Sequence, residues 1–170
     1  MKLSKKYSNH RVSDKLLYYC KHDPEFCTTV LDVFSFLISD HNFTVDYMGL
    51  HRGWGLSFNR KTISVVVGCS VDEILPPIFI VNKNENNFSY HSIEDLMKEL
   101  KFKSEPGRFE HSENYKKLGI IKSYIYKLRY DKNIKEEFWL KIREAGNFIE
   151  GHFNDIMGYI HNQRSIMDIP

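Results

Sequence analysis

The chain has 170 residues and a mass of 20.2 kDa, the size of one domain, with 42% apolar, 14% aromatic and 27% charged residues. That composition fills a core and excludes an intrinsically disordered chain. No stretch approaches the roughly 18–20 apolar residues of a membrane span, and the start (Met1, Lys2, Leu3, Ser4, Lys5, Lys6) lacks the apolar run of a secretory signal, so a cytoplasmic protein without membrane contact is expected.

In chain order, Ser13 caps a short helix through Lys21, and Asp23 before Pro24 supplies an oxygen acceptor ahead of a proline in a first turn. A helix is predicted from Pro24 to Ser39, because Val30, Leu31, Phe34, Leu37 and Ile38 recur at three- and four-residue spacing. From Asn42 the period changes to two. Phe43, Val45 and Tyr47 fall on one face of a first strand, with Thr44 and Asp46 on the other. Trp54, Leu56 and Phe58 mark a second strand, and Ile63, Val65, Val67 and Cys69 a third, joined as a hairpin through Asn59, Arg60 and Lys61. Pro76 and Pro77 introduce a fourth strand over Ile78 to Val81, and Phe88 to Tyr90 adds a short fifth.

Ser92 and Asp95 form a capping box for a helix carrying Ile93, Leu96, Met97 and Leu100. Residues 103–111, with Pro106 and Gly107, form a loop that is the one seam in an otherwise single domain over 1–170. A helix from Asn114 to Tyr130 follows. A last helix starts at an Asn133 cap and keeps its stripe through Phe138, Ile142, Ala145, Ile149, Ile156 and Ile160, with a bend or break expected near Gly151. The expectation is an α+β fold: an antiparallel meander of four or five strands, with N-terminal helices and a C-terminal helical segment packed mainly on one face.

Cys20, Cys27 and Cys69 are odd in number and include no CxxC pair, the pattern of neither a disulfide framework nor a zinc site, so free buried thiols are expected. His152 and Asp155, three apart, share a helix with His161, but no HExxH or paired ExxH pattern accompanies them, and neither a metal nor another cofactor is expected. GxSxG, Walker and GxGxxG motifs are absent, and adjacent carboxylates such as Glu94 and Asp95 give no acid–base geometry, so a binding protein rather than an enzyme is expected.

The net charge of +2 is unevenly spread: +5 over 1–21, −6 over 22–100, +5 over 101–132 and −2 over 133–170. Such asymmetry speaks to partners. Lys116, Lys117, Lys122, Lys127 and Arg129, interleaved with Tyr115, Tyr124, Tyr126 and Tyr130, could serve a nucleic-acid backbone and its bases, but at helical spacing such residues are more often a solvated helix face bordering a core.

From Val33 to Met97 the chain runs through a helix ending in FSFLISDHNFTV, a hairpin with LSFNRKTISVVVG, an acidic turn with IFIV, and YHSIEDLMK. This layout resembles the immunity proteins of contact-dependent growth inhibition and related polymorphic toxin systems in bacteria. The likeness covers about 65 of the 170 residues, rests on layout and residue texture rather than a signature motif, and stops before the helices after residue 110. It implies a protein that binds one cognate toxin domain, a nuclease in many such systems, and blocks its active site or substrate surface. An acidic inhibitor of a basic nuclease gains on-rate by electrostatic steering. The partner-binding candidates on the polar side of the sheet and its turns are Asp46, Asp72, Glu73 and Glu85, with Tyr47, Arg52 and Trp54 as anchors. The alternative expectation is a nucleic-acid-binding module using the basic helix over 114–130.

Overall fold

The computed structural model describes residues 13–50, 53–70, 76–83, 88–100 and 132–167. Ser13 does cap the first helix, α1 (Asp14–His22), its hydroxyl accepting from the Leu16 N–H at 3.2 Å. The Asp23 carboxylate accepts from the Phe26 N–H at 3.1 Å and Pro24 occupies the first turn of α2 (Pro24–Val33). The expected helix to Ser39 is broken at Phe34, and a one-turn α3 (Ser35–Ser39) resumes beyond it. Phe34, Leu37 and Ile38 still reach the core, so the stripe is kept in phase across the break.

Five strands follow in a meander of sequential antiparallel neighbours: β1 (Thr44–Leu50), β2 (Gly53–Arg60), β3 (Ile63–Ser70), β4 (Ile78–Lys83) and β5 (Phe88–Ser92). The β2–β3 turn is two residues long, and Lys61 takes its left-handed position at φ 50°. Gly55 faces Gly68 across the hairpin, and a Cβ on Gly55 would stand 2.5 Å from the Val67 carbonyl oxygen. Only glycine permits that approach.

Ser92 ends β5 and caps α4 (Ile93–Glu99), accepting from the Asp95 N–H at 3.0 Å. The C-terminal stripe forms α5 (Lys132–Gly151) and α6 (Phe153–Met167), with the expected break falling at Gly151 and His152. Asn133 is already inside α5 and is not its cap. The predicted loop over 103–111 and helix over 114–130 lie outside the described residues.

The two faces of the sheet differ. Val45, Leu56, Phe58, Val65, Val67, Ile78 and Ile80 point to one side and join one core with Leu16, Phe26, Val30, Phe34, Leu37, Ile93, Leu96, Ile142, Ile149, Ile156 and Ile160 of the helices. The opposite face carries Asp46, Ser57, Asn59, Ser64, Val66, Val81 and Tyr90, which follow from the strand register. Its middle is polar. The Ser64 hydroxyl donates to the Asn59 side-chain oxygen at 2.7 Å, and the Asn59 amide donates to the Ser57 carbonyl and hydroxyl, each at 3.0 Å. This is the expected α+β architecture, with the described helices gathered on one side.

One expectation about the core is overturned. Cys20 and Cys27 are bonded to each other, with Cα atoms 5.3 Å apart, rather than resting as free thiols. Both lie on the buried faces of their helices, and the chain reversal at Asp23 and Pro24 brings the two helices side by side. Cys69 stays outside the bridge.

Candidate functional site

The break between α1 and α2 lays α1 against β1, so that Tyr19 lands on two side chains presented by the sheet. Its ring stacks on Tyr47 at 4.4 Å with 14° between planes, and on Trp54 at 5.1 Å with 29°. Phe26 meets Trp54 edge-on at 5.1 Å from behind. Lys15 lies 5.8 Å above the Tyr47 ring, within reach of a cation–π contact. A hydrogen bond with the Tyr19 side chain raises the Tyr47 phenol above its ordinary value of 10, aided by burial and by repulsion from a charged Tyr19.

The stack borders solvent. Tyr18, next along α1, is 58% exposed with its ring against Tyr19 and His22, and Leu17 is 47% exposed. Tyr and Trp that keep one edge wet and one buried supply large contact area at low entropy cost. Tyr47 and Trp54 were candidates from sequence, and the structure brings them together. Tyr18, Tyr19 and Leu17 were not, although LLYYC over 16–20 puts two adjacent tyrosines on a helix whose inner face is Leu16 and Cys20.

Asp46 is exposed, as its strand period implies, and it is committed to local structure. Its carboxylate accepts from the Tyr47 N–H at 2.7 Å and from the Ser13 hydroxyl, tying the cap of α1 to the outer edge of β1. Arg52, Asp72, Glu73 and Glu85 lie outside the described residues, but the strand ends that flank them are defined. In a meander, alternate connections leave opposite ends of the sheet. The ends flanking Arg52 and those flanking Asp72 and Glu73 are therefore at the Trp54 end, where Gly53 pairs with Ser70. Those flanking Glu85 are at the other end, roughly 25 Å away at 3.3 Å per residue.

Of the described histidines, His22, His41, His91 and His152 lie against aromatic rings. His41 stacks on Phe153 at 3.6 Å, His91 meets Tyr159 edge-on at 6.0 Å, and His152 Nδ1 is 3.9 Å from the Asp155 carboxylate, with His161 exposed further along α6. Among the described residues no group of three His, Cys, Asp or Glu side chains converges to hold a metal ion. Lys116, Lys117, Lys122, Lys127 and Arg129 lie outside the described residues. Among the described residues no helix is long and apolar enough to cross a membrane. No protein family, curated protein or solved structure matches the chain.

Proposed function

We propose that this chain is a non-enzymatic, immunity-type protein that binds a cognate bacterial toxin domain, a nuclease by preference, and occludes its active site or substrate surface. The observation that carries this reading is the partly buried stack of Tyr19, Tyr47 and Trp54, flanked by the exposed Tyr18 and Leu17, at the end of the sheet where Gly53 pairs with Ser70. Rigid aromatic anchors suit a protein surface by supplying contact area, and the sequence candidates Asp72 and Glu73 would add steering toward a basic partner. The cytoplasm is where such an inhibitor meets an incoming nuclease. There the Cys20–Cys27 bond would face a reducing pool, and its burial at 2% and 0% exposure limits access by attacking thiols.

Co-expression with the product of each neighbouring reading frame tests the proposal. The expected result is a stoichiometric complex with one such product and relief of its toxicity. Asp72→Lys with Glu73→Lys should slow association and weaken its salt dependence, and Tyr18→Ala should speed dissociation. Absence of any complex overturns the reading. Recovery of RNA or DNA alone, lost steeply with salt, would instead favour the basic residues from Lys116 to Arg129.

A further inference from the structure

The two edges of the sheet are built differently, and the difference points to a second copy of this chain. In the β3–β4 ladder the Lys83 N–H donates to the Thr62 carbonyl at 2.6 Å and the Gly68 N–H to the Pro77 carbonyl at 2.8 Å. Hydrogen-bonded and non-bonded pairs alternate in an antiparallel ladder, so Phe79, Val81 and Lys83 bond toward β3 and Ile80 and Asn82 toward β5. The same alternation turns Ser89 and His91 toward β4. The N–H and C=O groups of Phe88 and Tyr90 then face outward. By the same count Tyr47 faces outward on β1, and there its N–H is capped by the Asp46 carboxylate, which also holds Ser13 of the adjoining helix. The β1 edge is thus closed by a charge and covered by α1.

Among the described residues no such device guards β5. Phe88, Ser89, Tyr90, His91 and Ser92 include no proline, no glycine and no charge with His neutral, whereas natural edges are ordinarily blunted by Lys, Pro or a bulge. Phe88 and Tyr90 are 63% and 62% exposed, and the Tyr90 ring sits edge-on to Phe79 at 6.0 Å.

We propose that β5 pairs antiparallel with β5 of a second copy about a two-fold axis at Tyr90. That register makes Tyr90 opposite Tyr90 a pair exchanging both N–H···O=C bonds and sets Phe88 opposite Ser92. It lines the aromatic side chains of both copies along one face of a continuous ten-stranded sheet. An uncharged strand meets its own copy with no like charges opposed, so a single sequence satisfies both sides. At about 200 Å² per aromatic side chain, the exposed parts of four rings bury roughly 500 Å² in total. That falls well below the roughly 1,200–2,000 Å² of a stable standard interface, so the dimer forms at high concentration and separates on dilution.

Sedimentation velocity from micromolar to near-millimolar concentration tests this on the full chain. The wild type should shift from monomer to dimer as concentration rises. Tyr90→Lys, which sets two ammonium groups across the axis, should stay monomeric throughout, as should Phe88→Glu; unchanged unfolding midpoints would show that both variants are folded. In a Cys69→Ser background, Tyr90→Cys should be trapped as a covalent dimer on oxidation, because a hydrogen-bonded pair separates Cα atoms by about 5.5 Å, within disulfide range. A wild type monomeric at every concentration overturns the proposal, and so does a dimer that survives Tyr90→Lys.

Discussion

Removing the Cys20–Cys27 bond should cost the protein about 2.5 kcal/mol. The bridge closes a short loop, with a sequence separation of 7, and the chain-entropy relation gives about 8 cal/mol/K for a loop of that size. At room temperature this is about 2.5 kcal/mol, a fall in melting temperature of roughly 5–10 °C for a chain of this length. The value is an upper one, because the Asp23 cap and Pro24 already restrict the same segment in the unfolded chain. Cys20→Ser with Cys27→Ser adds the cost of placing two hydroxyls among Leu16, Phe26 and Val30, so the cleaner perturbation is reductant on the wild type. Urea unfolding with and without dithiothreitol should differ by 1.5–2.5 kcal/mol, on the order the loop entropy allows. The double-serine variant should show no such difference. A thiol titration in denaturant should find one thiol before reduction, that of Cys69, and three after. Three thiols in protein never exposed to reductant, or coincident unfolding curves, would refute the bond and restore the expectation of free cysteines.

Two glycines of equal helical standing should respond oppositely to alanine. A Cβ on Gly146 would lie 2.2 Å from Val33 Cγ1, so the stiff valine or α5 itself must move. Gly146→Ala should lose about 1 kcal/mol in denaturant unfolding, overpacking outweighing the gain in helix propensity. Gly158 has nothing within 4 Å of that position, and Gly158→Ala should gain about 1 kcal/mol; matching signs would refute the packing argument. Alkaline pH supplies a test of the aromatic stack. Because the folded protein holds the Tyr47 proton more tightly than the unfolded chain does, this contribution to stability is intact below pH 10 and lost as pH rises through the raised folded value. The urea midpoint of the wild type should therefore fall more steeply above pH 10 than that of Tyr19→Phe, which lacks the hydroxyl responsible; parallel slopes would refute the assignment.

Local signals carried most of the fold. Ser13, Asp23 and Ser92 cap the helices they were expected to cap, because each acts on an N–H three residues away and needs nothing distant. The strands follow from period-two alternation, and β4 and β5 ran longer than expected only where polar residues, Asn82, Lys83, His91 and Ser92, continue the pairing. What failed was tertiary. The break at Phe34 is silent in the hydrophobic pattern because Phe34 and Leu37 stay in register with the core across it. The Cys pair depends on how the chain reverses at Pro24, and no spacing rule for CxxC or zinc sites registers two cysteines on facing helices. The site was half legible. Period two puts Tyr47 and Trp54 on the inner face, but their meeting with Tyr19 requires α1 to dock on β1, which rests partly on the bond from Ser13 to Asp46 across 33 residues.

The acidic surplus over residues 22–100 narrows when five of its eleven carboxylates are placed. Asp23 caps α2, Asp46 holds Ser13 and the Tyr47 N–H, and Glu94 pairs with Lys141 at 2.8 Å. Asp95 accepts from the Ser92 hydroxyl at 2.6 Å, and Asp40 from the Ser39 hydroxyl at 2.6 Å. Groups so engaged contribute to the local folds they close, and their field at a distance is partly cancelled by the dipoles and charges they bind. The strand ends that flank Glu85, Lys83 and Phe88, are at the far end of the sheet. Of the acidic candidates, that leaves Asp72 and Glu73 as the pair flanked by the Trp54 end. Electrostatic steering of a basic toxin, if the proposed function holds, should therefore respond chiefly to those two residues. Neutralising Asp46 should act on stability through α1 instead, leaving the salt dependence of association in place.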